Sequence, residues 1–245
     1  VAPLVSLLIL THNRIKISSE YVPAIGILTG KIKHEILVWD NASEDGTFDW
    51  LCDYKNLNSN VSFIHSSEVN YGVEAINFLA RKARGKYLIK IDDDILPPPD
   101  FAKRIVEAYE EVNEQKLAFL SWDMPWRTSS FALRSGKKLY SGERGKTYPL
   151  RSSETVYVSY HPDRWLVNGA CRLCKKDVFL KVGGHPHGVK YGVDYMISKA
   201  AARHGYWIGY FHATDLIQHK GNVDSRKQRM FKDQELRRHG NPKHV

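Results

Sequence analysis

Asp92, Asp93 and Asp94 follow directly on the apolar run at residues 87–91. Three adjacent carboxylates repel one another unless a cation or a set of donors offsets their charge. Side chains alternate along a strand, so at a strand end Asp92 and Asp94 are expected to converge on one side. Hard oxygen ligands of this kind suit Mg2+ or Mn2+ shared with phosphate oxygens. The spacing is not that of an EF-hand loop, since no Gly and no closing Glu follow in register. The plainer alternative is a solvated acidic turn ahead of Pro97.

A second constellation, Asp40-Asn41-Ala42-Ser43-Glu44-Asp45-Gly46-Thr47, follows the apolar run at 35–39. A carboxylate at Asp40 can accept the ring N–H of uracil or thymine, and guanine offers N–H donors as well. The turn and helix start beyond it can present backbone N–H groups to an anion. Ser43, Asp45 and Thr47 suit an N-capped turn equally well. A third group, Thr11-His12-Asn13-Arg14, closes the first apolar run and carries polar side chains where a nucleotide could touch them. Trp122, Trp126 and Trp165 are candidates for stacking on an acceptor sugar, although large aromatics serve a core equally. The basic stretch 134–151 is read either as a lid over substrate or as a solvated loop.

These groups need elements to position them. Residues 4–10, 35–39, 61–65 and 87–91 read as strands buried on both faces. Helices are predicted over 73–84, after the turn Asn70-Tyr71-Gly72, and over 100–112, where Phe101, Ile105, Ala108, Tyr109 and Val112 share a face. Strands alternating with helices imply a mainly parallel sheet with helices on its faces, and ligands bind beyond the carboxyl ends of such strands. The second half is less regular. Residues 128–153 read as a long mobile loop or a weak hairpin. Strands are predicted near Val156, over 166–173 and over 206–211. Helices are predicted over 176–182, stopped by Gly183-Gly184, and over 193–204. One domain is expected over 1–245, with a nucleotide-sugar half at 1–115, an acceptor half at 116–221 and a basic tail at 222–245.

The net charge of +9 favours anionic partners without choosing among nucleotides, nucleic acid, acidic glycans or a membrane face. No apolar run approaches the ~18 residues of a membrane span. Residues 1–10 are too short for a signal peptide and lack its basic flank. The chain opens on Val1 rather than Met, as a processed or trimmed product does. Cys52, Cys171 and Cys174 are too few for a disulfide scaffold and fit a reducing compartment, so a cytoplasmic location is expected. Cys171-x-x-Cys174 has no second Cys/His pair at zinc spacing and is read as two core or edge thiols.

Taken together, residues 8–14, 38–47, 70–72 and 83–87 running into Asp92-Asp93-Asp94, then Val182-Gly183-Gly184, Tyr191-Gly192-Val193-Asp194, Gly205-Tyr206 and His219-Lys220-Gly221, resemble the family 2 glycosyltransferases with the GT-A fold. The order and spacing match over about the first 115 residues, and the later motifs extend the resemblance over most of the chain. It implies an α/β, Rossmann-like fold with a mainly parallel central sheet flanked by helices and a less regular acceptor-side second half. It also implies inverting, metal-assisted transfer from a nucleoside-diphosphate sugar, with UDP or dTDP favoured, to a glycan, lipid-linked or protein acceptor. Asp40 is then the base contact, Asp92 a ribose or metal-water contact and Asp94 the metal ligand for Mn2+ or Mg2+. His219 is a further metal or phosphate contact, Asp194 the general base, and Arg14 a nucleotide neighbour. Thr11, Asn13, Asn41, Asn70 and Asp93 complete the expected nucleotide-sugar site. The chain departs from the family pattern at His12, where Tyr is usual, and at Val193, where Glu precedes the base.

Two other readings compete. A non-catalytic sugar-nucleotide or glycan-binding module of the same fold should have lost one of Asp92, Asp94 and Asp194. A nucleic-acid binder rests on charge alone, and no helix outside the tail around Arg226, Lys227, Arg229, Lys232, Arg237 and Arg238 has a dense basic face. Nucleic acid is therefore not an expected partner. The same tail fits a peripheral contact with an anionic membrane face.

Overall fold

The computed structural model describes residues 2–123, 145–160, 169–188, 192–215 and 217–220. Its first half is a run of parallel strands: β1 (Val5–Thr11), β2 (His34–Asp40), β3 (Val61–Ser66) and β4 (Tyr87–Asp92). They lie in the order β3-β2-β1-β4. The chain steps outward from β1 through β2 to β3, then crosses back to pair β4 with the other side of β1. This reversal leaves a crevice at the carboxyl ends of β1 and β4, the topological switch point where open α/β sheets hold ligands.

Three helices make the crossovers: α1 (Ile15–Leu28), α2 (Thr47–Leu57) and α3 (Ala75–Lys82). The periodicity reading does not include α1 or α2. Pro23 lies within α1 and blurs its pattern. The first N–H of α1 is satisfied from outside the helix, where Asp45 Oδ2 accepts from the Ile15 amide at 2.9 Å. Asp45 also accepts from the Thr47 amide at 3.1 Å at the start of α2. Burial pushes the Asp45 carboxyl up, but these N–H groups and the Thr47 hydroxyl outweigh it and hold the group below its usual range.

The short strand β5 (Ile95–Leu96) and α4 (Phe101–Val112) follow, and then β6 (Leu117–Trp122). Beyond them come β7 (Gly145–Pro149), β8 (Thr155–Ser159), β9 (Cys171–Lys175), α5 (Lys176–Lys181), α6 (Val193–Arg203), β10 (Trp207–His212) and β11 (Gln218–His219). The sheet continues β4-β9-β6-β10-β8-β7. Strand β9 runs antiparallel to both neighbours and so restores β6 to the direction of β4. Part of the region read as loop or hairpin, 145–149, is a strand paired with β8; residues 128–144 lie outside the described residues. The basic tail 222–245 lies outside them too.

One core packs α1 and α4 against Val5, Leu7, Ile9, Ile89 and Ile91. The other packs α3, α5 and α6 against Leu8, Leu37, Leu88 and Phe119. Cys171 belongs to the first core and Cys174 to the second, so β9 points the two thiols to opposite faces of the sheet. Both are free and buried, in keeping with the reading as core thiols. Trp122 corrects an expectation. It is 0% exposed, lies edge-on to Phe211 with centroids 4.8 Å apart, and donates its indole N–H to the Asp215 carbonyl at 3.3 Å. It is a core residue and offers no face to a sugar. Among the described residues, no helix is long and apolar enough to cross a membrane.

Candidate active site

The switch point gathers the polar ends of β1 and β4. Arg14, at the entrance to α1, reaches across the crevice, and its Nη1 donates to Asp93 Oδ1 at 3.0 Å and to Asp94 Oδ2 at 2.9 Å. Asp93 turns inward, where its Oδ2 accepts from Ser18 Oγ at 2.9 Å. Thr11 is buried beside it, with its hydroxyl 2.8 Å from that of Ser18. Burial drives the Asp93 carboxyl up, against Arg14, Thr11 and Ser18. Burial also pulls the Arg14 guanidinium down, but Asp93 and Asp94 outweigh it and raise it above its usual value. The expected convergence of Asp92 and Asp94 is replaced by a pairing of Asp93 with Asp94 through Arg14. The physical reason is that β4 ends at Asp92, so strand alternation no longer governs the turn after it. Thr11 and Asp93, expected at the nucleotide, are buried supports of α1 and of Arg14.

The loops beyond β1, β2 and β3 form one shelf. Asn13, at φ 50°, donates its amide to Ser43 Oγ at 2.8 Å and accepts from the Glu44 amide at 2.8 Å. Asn41 accepts from the Tyr71 amide at 3.2 Å and donates to the Gly72 carbonyl at 3.2 Å. Asn70 accepts from the Gly72 amide at 2.7 Å, closing that turn. Asp40 is fully buried and accepts from the Ser43 amide at 3.2 Å, from Ser66 Oγ at 2.7 Å and from the Ser43 hydroxyl. A carboxylate has about four acceptor positions, and these three contacts leave one.

On the other side of β4, Lys90 connects two sites far apart in sequence. Its Nζ donates to Asp92 Oδ1 and, at 2.6 Å, to the Gly169 carbonyl. The Gly169 amide donates to Asp194 Oδ2 at 3.1 Å from the first turn of α6. A Cβ on Gly169 would stand 2.4 Å from Asp194 Oδ1, so this carboxylate keeps its place only beside a residue without a side chain. Asp194 is one-third exposed. At the far end, β11 pairs with β5 so that His219 stands opposite Ile95, and the Lys220 amide donates to the Asp94 carbonyl at 2.8 Å. The backbone therefore carries His219 to the acidic turn; its side chain lies outside the description, as do Trp126 and Trp165.

Among the described residues, no three His, Cys, Asp or Glu side chains are gathered as a metal cluster. One or two carboxylates at a strand end still fit Mg2+ or Mn2+ of the kind that takes its other ligands from water and a diphosphate. Asp94, in the turn after β4, is the described carboxylate that would hold it.

Residues 6–180 match the family model described as glycosyl transferase family 2. The chain belongs to that family. As a family 2 member it also resembles solved structures. The mannosyltransferase PcManGT from Pyrobaculum calidifontis, in complex with GDP-Man and Mn2+, has a TM-score of 0.69 at 18% identity, over 96% of this chain and 62% of that one. TarS residues 1–349 from S. aureus, in complex with UDP-GlcNAc, has a TM-score of 0.59 at 14% identity, over 89% of this chain and 61% of that one. At such identities the likeness is one of fold, and it is that of GT-A glycosyltransferases. The chain spans about three fifths of the length of each. No curated protein matches it.

This family 2 site includes residues that motif reading passes over. Ser18, Lys90, Gly169, Arg172 and His185 lie in no expected motif, and their roles come from contacts across the sheet. The same holds for Asp123 and His212 at the carboxyl ends of β6 and β10, where His212 Nδ1 lies 3.0 Å from Asp123 Oδ2. The one available sequence signal was the charge of Lys90 and Arg172 within otherwise apolar strands.

Proposed function

We propose that this chain transfers a sugar, with inversion, from a nucleoside-diphosphate donor to a hydroxyl of a glycan, lipid-linked or protein acceptor. The observation that carries the proposal is the bridge from Asp92 through Lys90 and Gly169 to Asp194. It sets a carboxylate suited to base catalysis beside the acidic turn suited to a diphosphate. Family membership and neighbours solved with GDP-Man and UDP-GlcNAc support the same reading.

In this mechanism the shelf of Asn13, Asp40, Asn41 and Asn70 holds the nucleoside, and Asp40 favours a pyrimidine carrier. Asp94, with His219, would hold Mn2+ or Mg2+, which would supply Lewis-acid stabilisation of the leaving diphosphate, and Asp92 would contact the ribose or a metal-bound water. Arg14 turns from the carboxylates toward the phosphates. Asp194 accepts the proton of the acceptor hydroxyl as its oxygen bonds to the anomeric carbon, and the bond from that carbon to the diphosphate oxygen breaks. A cytoplasmic setting, with residues 222–245 resting on an anionic membrane face, is part of the proposal. Liposome co-sedimentation unchanged on deleting 224–245 would remove that part.

The test is calorimetric titration with UDP, dTDP, GDP and CDP, each with and without Mn2+, on the wild type and Asp94→Asn. Metal-dependent binding of one nucleotide, lost in Asp94→Asn, is expected. Binding of none overturns the reading.

A further inference from the structure

Arg172, the second residue of β9, is 1% exposed. A guanidinium cannot lose its charge in a protein, so burying it demands an anion and hydrogen-bond acceptors. Its Nη2 lies 2.8 Å from His185 Nε2. Arginine only donates, so Nε2 accepts, and the neutral ring carries its proton on Nδ1. The imidazole is seated in turn from α3: Asn77 Nδ2 donates to the His185 carbonyl at 2.8 Å, and the His185 amide donates to Asn77 Oδ1 at 2.8 Å. The other nitrogen, Nη1, has no hydrogen-bond acceptor among the described residues and lies 3.8 Å from Asp194 Oδ1, within ion-pair range. The carboxylate is thus approached from two sides, by the Gly169 amide on Oδ2 and by the buried cation near Oδ1.

We propose that Arg172, fixed from behind by His185, is a positioning residue for Asp194: it holds that carboxylate aimed beside the Gly169 amide, and acts on transfer only through it. The proposal rests on the reading of Asp194 as the base. Removing Asp194 leaves a buried guanidinium without its counter-ion, which is unfavourable. The burial that draws the Arg172 guanidinium down from its usual value is opposed first by Asp194.

The experiment is a double-mutant cycle on the full chain, with UDP-GlcNAc and GDP-Man as donors in Mn2+ and release of the nucleoside diphosphate as the readout. Arg172→Met is expected to lower kcat by about 10- to 100-fold with donor KM within about threefold. Arg172→Lys, which keeps the charge, is expected to recover most of that loss. In an Asp194→Asn background Arg172→Met is expected to change kcat less than about twofold, since groups acting as a unit are not additive. Losses that multiply in the double variant, or a loss taken mainly in donor KM, overturn the positioning role and leave the base reading intact. Full activity of Asp194→Asn, or no turnover of either donor by the wild type, overturns the base reading and this one with it. Should Arg172→Met fail to fold, His185→Phe makes the same test: its ring can pack beside Phe179, now edge-on to His185 at 5.9 Å, and it frees Nη2. It should lower kcat about three- to tenfold, again only while Asp194 is present; a loss that persists in Asp194→Asn overturns the role.

Discussion

Arg14 holds Asp94 at 2.9 Å with the same nitrogen that holds Asp93 at 3.0 Å, so one guanidinium occupies the turn that a divalent ion would use. A cation and a metal compete for the same oxygens. Arg14→Met is expected to leave the affinity for Mn2+ alone unchanged or tighter. The affinity for the nucleoside diphosphate should fall about tenfold or more, the usual scale for losing a charge-assisted hydrogen bond. Paired titrations with Mn2+ and with nucleotide check this. A parallel loss of both would make Arg14 only a scaffold of the turn.

Gly169→Ala is expected to disturb Asp194 with little effect on folding. The added Cβ would stand 2.4 Å from Asp194 Oδ1, and the carboxylate must move. Gly169 is not among the glycines at positive φ, so the backbone itself tolerates alanine. Displacement of a reacting group by about 1 Å costs on the order of 100-fold. The expected result is a kcat lowered by about 10- to 100-fold with Tm nearly unchanged, read by steady-state kinetics and thermal melting. An unchanged kcat would remove Asp194 from the reaction.

His185 predicts a pH dependence of stability. Burial, and then Arg172, hold its imidazole well below the usual value of 6.5. As pH falls through about 6.5 the unfolded chain binds a proton that the folded chain refuses, so stability is greatest above that pH and falls below it. One such group changes the slope by at most about 1.4 kcal/mol per pH unit. Denaturant unfolding of the wild type and His185→Gln between pH 7 and 5 should show the shallower slope in the variant. Equal slopes would mean that His185 is open to protons in the folded state.

Thiol labelling distinguishes the three cysteines. Burial pushes the Cys171 and Cys174 thiols up to about 12, whereas Cys52 is exposed on α2. Thiolate is the reactive form. Iodoacetamide at pH 8 should modify one thiol of the native chain and three after denaturation, counted by intact mass. Rapid labelling of a second native thiol would show β9 opening.

Strands β1, β2 and β4 were legible because each is buried on both faces and reads as an apolar run, whereas β3, expected to be buried likewise, lies at the sheet's edge with only Val61 fully buried. Helix α4 was legible because Phe101, Ile105, Ala108, Tyr109 and Val112 share a strongly apolar face. Helix α1 was hidden by Pro23, its start being secured by Asp45 from a different loop. The placement of the polar motifs at the carboxyl ends of the strands followed from strand order. Which carboxylate meets which cation did not, because it depends on where β4 ends and on a guanidinium 79 residues away from Asp93. Trp122 misled because aromatic size alone does not separate a stacking face from a core plug. Arg172 showed only as a charge within an apolar strand, since its partners His185 and Asp194 come from a loop and a helix that only the folded chain brings to β9.

Strand β9 also bears on the order in which the molecule is made. Its pairs with β4 run from Tyr87 with Lys175 to Ile91 with Cys171, so the open flank of β4 stays uncovered until the chain has been synthesised past residue 175. A bare strand edge invites pairing with other chains, and charged side chains discourage it. Lys90 and the aspartates that follow sit on that flank and at its end. The charges of Lys90 and of the aspartates after it are therefore placed to discourage pairing at that edge before β9 covers it.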